Sequence, residues 1–164
     1  MTMSQLPAVA STGRPPILAS EGSDYVTMFI AGQLFGIPVL QVHDVLSPQK
    51  ITRVPLAPPQ IAGSLNLRGR IVTTVDVRTC LGLPPRDDGK KSMSIVVDCG
   101  NESFNLIVDQ VGEVMIMPHH QYEPNPPTLD QRWRDVAGGV FRMDGRLMVV
   151  LDVNRLLSFV NDAA

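Results

Sequence analysis

"QLFGIPVLQVHDVL", residues 33–46, and "ESFNLIVDQVGEVM", residues 102–115, are one segment written twice. At a shift of 69 residues Phe35 falls on Phe104, Val39 on Val108, Gln41-Val42 on Gln110-Val111 and Asp44 on Glu113. A second match lies downstream. "GSLNLRGRIVTTVDVRTCL" (63–81) falls on "GVFRMDGRLMVVLDVNRLL" (139–157) at a shift of 76. Gly63 then meets Gly139, Gly69-Arg70 meets Gly145-Arg146, and Asp76-Val77 meets Asp152-Val153. The extra residues belong to a longer connector in the second copy, "MPHHQYEPNPPTLDQRWRDVAG" (117–138), which is rich in Pro and carries the one Trp.

The repeated segments are short and rich in Val, Ile and Thr, as in "YVTMFIA" (25–31), "RIVTTVDV" (70–77) and "MSIVVDC" (93–99). β-Branched side chains lose freedom in a helix and pack well on a pleated surface, so these runs read as strands. "AGQ" at Ala31 and "CGNE" at Cys99 read as hairpin turns, where Gly and Asn accept positive φ. Two copies of one β unit imply two related modules. A module of roughly 65–70 residues suits a small barrel of about five strands, and alone it buries too little surface to be robust. The expected fold is therefore all-β: two five-stranded barrels side by side with a sizeable shared interface, and a short helix after the last strand of each. The expected boundaries are a flexible Ser/Pro-rich tail over 1–23, a first barrel over 24–88 and a second over 89–160, with the first strand open to sharing.

The composition narrows the function. The chain has 164 residues, a formal charge of −2 and 44% hydrophobic residues. Nucleic-acid partners usually demand a basic face, which this balance disfavours. Two cysteines, Cys80 and Cys99, make no disulfide framework. The N-terminus lacks a basic start followed by an apolar run, and no stretch reaches the length of a membrane helix. The expectation is a soluble cytoplasmic protein with no direct membrane contact and no cofactor.

Asp76 and Asp152 end equivalent strands and precede "VRTCLG" and "VNRLLSFV". An Asp there caps a helix by accepting from its first free amides. Gly82 followed by Pro84 reads as the stop of the first helix. Gly69 and Gly145 fit tight turns. Asn66 and Arg68, by contrast, break the symmetry, because their counterparts are Arg142 and Asp144. Architecture does not require "NLR" in one copy only. The two readings are an exposed loop with a solvated Arg, or a partner-binding loop.

"PPQIAGSLNLRGRIVTTVDVR" (58–78) resembles the hallmark segment of CheW-type chemotaxis coupling proteins. "FGIPVLQVHDVL", "FNLIVDQVGEV" and "DGRLMVVLDVNRLL" follow in that family's order, and the resemblance spans roughly residues 24–160. It implies a non-enzymatic adaptor of two barrels related to Src-homology-3 folds. It also implies two partners: the regulatory domain of a chemotaxis histidine kinase and the cytoplasmic tip of a methyl-accepting chemoreceptor. The adaptor is then a monomer alone and part of large arrays at the inner face of the membrane. Residue by residue, the resemblance places Arg68 at the receptor-binding region, paired with Asp44. It implicates Asn66 in the same segment, Val39, Val42 and Gly63 in kinase or receptor contact, and Met93, Asn105 and Val111 in a receptor-facing groove. Asp stands at 44 where Glu is commoner in the family, so a longer or water-bridged pair is expected. Strand valines are usually core, and that reading competes at Val39, Val42 and Val111.

Other classes have weaker footing. His43, His119, His120 and the cysteines show no metal-ligand spacing. "DDGKKS" (87–92) lacks the glycine spacing of a phosphate loop and reads as a linker. Trp133 between Arg132 and Arg134 is a local basic–aromatic cluster that a nucleic-acid-binding barrel would use. A connector packed down by its Trp is the simpler account. An adaptor of a related motility or surface-sensing pathway remains close to the first reading.

Overall fold

Hairpins organise the chain. A computed structural model describes residues 22–84 and 92–163. The strands are β1 (Gly22–Ile30), β2 (Gln33–Pro38), β3 (Val42–Leu46), β4 (Ile61–Leu67), β5 (Arg70–Asp76), β6 (Met93–Cys99), β7 (Glu102–Val108), β8 (Gln110–Pro118), β9 (Tyr122–Glu123), β10 (Ala137–Met143) and β11 (Arg146–Leu151). The helices are α1 (Val77–Cys80), α2 (Gln131–Arg134) and α3 (Val153–Ala163). The Ala31-Gly32 turn joins β1 to β2 with both residues at positive φ, 51° and 82°, which matches the twist of a two-residue hairpin. Gly100, at φ 63°, serves the β6–β7 turn.

The strands form a five-stranded sheet, β3-β6-β7-β5-β4, and a six-stranded one, β8-β1-β2-β11-β10-β9. The mostly-β, two-sheet expectation holds, with the sixth strand drawn from the Pro-rich connector. The repeat is visible in the pairing. Thr73 lies opposite Phe104 in the parallel β5–β7 pair, and Val149 lies opposite Phe35 in the parallel β11–β2 pair. Those are the same two positions under the two sequence shifts.

The division at residue 88 needs correction. β1 and β2, the opening hairpin of the first copy, lie between β8 and β11 of the second. β6 and β7, the opening hairpin of the second copy, lie between β3 and β5 of the first. Each sheet takes its central hairpin from the other copy. Residues 42–108 thus supply one whole sheet, inserted between the segments that supply the other. The connections account for this. A single residue, Asp109, separates β7 from β8. A hairpin needs at least two turn residues, so the chain runs on and leaves its sheet. Of the expected tail, Gly22 and Ser23 belong to β1, paired with Pro118 and Met117, and residues 1–21 lie outside the described residues. Of the "DDGKKS" linker, only Ser92 lies within them.

The larger core cluster draws on both sheets, through Ile95, Val97 and Leu106 from one and Ile30, Phe35, Val140 and Leu151 from the other. A smaller one, with Tyr25, Leu34, Met117, Phe141 and Met148, belongs to the six-stranded sheet. Trp133 is buried edge-on against Phe35, with ring centroids 5.3 Å apart, so the connector is indeed packed down by its Trp. Helix α3 buries Val153, Leu156, Leu157 and Val160, the i, i+3, i+4, i+7 stripe of an amphipathic helix.

Both helix caps form. Asp76 Oδ1 accepts from the Arg78 amide at 3.0 Å, and Asp152 Oδ1 from the Arg155 amide at 3.2 Å. Gly82, at φ 70°, lets the chain turn out of α1. Asp76→Ala and Asp152→Ala are each expected to lower stability by about 1 kcal/mol in urea unfolding, with partner binding unchanged. Selective loss of binding at full stability would refute the capping role.

Cys80 ends α1 in the core. Burial first, and the neighbouring Asp76 second, push its thiol up to about 12. An unfolded chain ionises this thiol near pH 8.5, whereas the folded one keeps its proton. Its contribution to stability is therefore complete below about pH 8.5 and lost as pH rises towards 12. Urea midpoints at pH 7 and pH 10.5 are expected to differ more for the wild type than for Cys80→Ala. Equal differences would count against it.

Candidate functional site

The asymmetric segment forms the tip of the β4–β5 hairpin. Arg68 and Gly69 are its two turn residues, at φ 54° and 86°. Gly69 adopts that conformation freely, whereas for Arg it is uncommon. Asn66 explains part of the turn, since its Oδ1 accepts from the Gly69 amide at 2.9 Å. Asn66 thus shapes the loop. Arg68 itself projects outward, with 78% of its side chain exposed.

Arg68 Nη2 lies 3.4 Å from Asp44 Oδ2. The contact is direct and long, in keeping with the shorter acid. β3 and β4 are the two ends of the five-stranded sheet, so this pair draws its ends together across the seam. A pair so exposed contributes about 0–1 kcal/mol, enough to orient the guanidinium but not to hold the fold. His43, next to Asp44, has Nδ1 3.6 Å from Asp98 Oδ2, and the Ser103 hydroxyl donates to Asp98 Oδ1 at 2.7 Å.

The other expected residues are not all on this face. Val39, Val42, Met93 and Val111 are half-buried and pack against the large core cluster. Two residues correct the expectation. Asn105 is 0% exposed and donates to Thr74 Oγ1 at 3.4 Å across the parallel β5–β7 pair. No docked partner reaches it without opening the sheet. Gly63 is buried beneath Ile51 and Thr52 at the β4 bulge, and its role is backbone clearance.

Sequence reading missed the strongest ion pair. Arg78 on α1 grips Asp109 with two bonds, Nε–Oδ1 at 2.9 Å and Nη2–Oδ2 at 2.7 Å. Asp109 Oδ2 also accepts from the Ala31 amide at 2.9 Å. The signal was present: Arg78 falls on Asn154 and Asp109 on Leu40, so both break the repeat as Arg68 does.

The basic–aromatic cluster of the connector is packing. Arg132 lies over the Trp133 ring at 5.2 Å and is held by Asp130, so the buried indole is no stacking platform. Among the described residues, no group of three or more His, Cys, Asp or Glu is placed to hold a metal ion. No helix among them is long and apolar enough to cross a membrane.

Comparison with known proteins agrees with this architecture. The family model described as "CheW-like domain" matches residues 24–160. The chain is 25% identical over 148 residues to a chemotaxis protein CheW of Helicobacter pylori, covering 90% of this chain and 89% of that protein. It is 28% identical over 137 residues to a chemotaxis protein CheW of Bacillus subtilis, covering 83% and 87%. The crystal structure of the scaffolding protein TtCheW from Thermoanaerobacter tengcongensis superposes with a TM-score of 0.70 at 30% identity, over 79% of this chain and 88% of that one. With a family model spanning both interleaved sheets and a solved relative of the same fold, this chain belongs to the CheW-like domain family.

Proposed function

We propose that the chain is a non-enzymatic adaptor that couples the cytoplasmic tips of methyl-accepting chemoreceptors to the regulatory domain of a chemotaxis histidine kinase. It acts in the cytoplasm, at receptor arrays on the inner face of the membrane. Family membership supports the adaptor class. The observation that carries the assignment of the face is Arg68: a long cation held out from a hairpin tip in a conformation that costs an Arg about 1 kcal/mol. A two-residue hairpin asks for positive φ here, as it does at Ala31, but Asn, Asp or Gly meets that demand more readily, so a long exposed cation is more than the turn itself needs. Asp44 aims the cation. Val39, Val42, Met93 and Val111 are half-buried and offer a partner their outer atoms only.

The test is capture of receptor fragment and kinase by purified protein. Arg68→Glu is expected to weaken receptor capture at least tenfold, about 1.4 kcal/mol, with stability within about 0.5 kcal/mol of wild type. Arg68→Asn, at ease in the left-handed conformation, removes the charge without strain and is expected to lose capture while gaining stability. Unchanged capture by both variants would remove Arg68 from the interface.

A further inference from the structure

We propose that Arg68 is one wall of a pocket that receives an acidic side chain from a protein partner, and that Arg70 sets its specificity. A cavity of about 210 Å³ opens beside the β4–β5 turn, walled by Arg68, Arg70, His43 and Ser103 over Val72 and Val96. This is smaller than the roughly 300–1,000 Å³ of small-molecule sites and suits one side chain. The two guanidinium groups can donate to an oxyanion, the Ser103 hydroxyl and His43 being engaged by Asp98, and half-buried Leu67 joins the valines in an apolar floor for the methylene stem of a Glu. A free phosphate has no use for that apolar floor.

The carboxylates nearby serve the walls. Asp44 engages Arg68 and Asp98 engages His43, but neither lines the cavity. Arg70 makes no ion pair among the described residues. Its fork is thus open for the paired hydrogen bonds that guanidinium makes to a carboxylate. The adaptor proposal bears on this inference only in naming which protein carries the acid.

The experiment is an amide NMR titration of the full chain, at fixed ionic strength, with three probes: N-acetylglutamate N-methylamide, its glutamine counterpart and inorganic phosphate. The glutamate probe is expected to shift the amides of Gly69, Arg70 and Ser103 saturably, and to bind at least tenfold more tightly than the other two. Arg70→Gln is expected to weaken it at least tenfold and Arg53→Gln to leave it unchanged, each with a dispersed folded spectrum. Equal binding of the glutamate and glutamine probes, tighter binding of phosphate, or an unaffected Arg70→Gln would overturn the pocket. Because no receptor or kinase is present, its failure is separate from a failure of capture.

Discussion

Gly63→Ala lowers stability by about 3 kcal/mol or more in urea unfolding, the largest loss expected from adding one methyl group to this chain. A Cβ at residue 63 falls inside contact with the Thr52 carbonyl oxygen, with Ile51 Cγ2 at 2.7 Å and the Thr52 carbonyl carbon at 2.8 Å. The obstacle is backbone and cannot swing away. That carbonyl also accepts from the Ser64 amide at 2.7 Å, while Thr52 donates to Ser64 O at 2.9 Å. Any shift that relieves the clash breaks the bridge between the β3–β4 connection and β4. Two controls separate clash from conformation. Gly69 has open space around it, so Gly69→Ala meets only its φ of 86° and is expected to cost about 1 kcal/mol. Gly139, the repeat counterpart, faces the Tyr122 side chain, which can rotate away. Gly63→Ala within 1 kcal/mol of wild type would show that the bridge yields.

Asp109→Ala is expected to cost about 2–4 kcal/mol, and little of it is screened by salt. One carboxylate here joins three parts of the chain: α1, the crossing from β7 to β8 and the tip of the β1–β2 hairpin. Arg78 and Asp109 are only 18% and 20% exposed, so removing the acid takes two bonds from a poorly hydrated guanidinium, which keeps its bond to the Pro84 carbonyl, and one from the Ala31 amide. The contrast with Arg68–Asp44, at 78% and 28% exposure and 3.4 Å, separates a pair that holds the fold from one that does not. A double-mutant cycle is expected to give a coupling near 2 kcal/mol for Arg78–Asp109 and under 1 kcal/mol for Asp44–Arg68. The reverse order would refute the division of roles.

Much of this was legible in the residues because a repeat carries its own control. Equivalent positions that agree, such as Asp76 and Asp152, proved to be architecture. Positions that disagree are of two kinds: Arg78 and Asp109 pair with each other and are architecture as well, whereas Arg68, which falls on Asp144, is exposed. The exchange of hairpins was not legible. Periodicity shows which strands are equivalent, and equivalent hairpins offer nearly the same edge to either copy. The choice was made by a one-residue connection, whose meaning depends on geometry that a pattern of side chains does not encode. Asn105 was misplaced for a different reason. The resemblance places it in a groove by position alone, and position carries no burial; here Thr74 on the neighbouring strand gives it a partner in the interior.

The interleaving of the two copies bears on how the chain is made. The hairpin β1–β2 is made before every other strand, yet its neighbours β8 and β11 follow only at residues 110–118 and 146–151. β8 can flank β1 once residue 118 is made, but β2 stays without its second neighbour until β11, residues 146–151, so completion of the six-stranded sheet must be late. A product that stops before β11 then lacks a finished six-stranded sheet and leaves β2 as an unpaired edge, open to association with other chains.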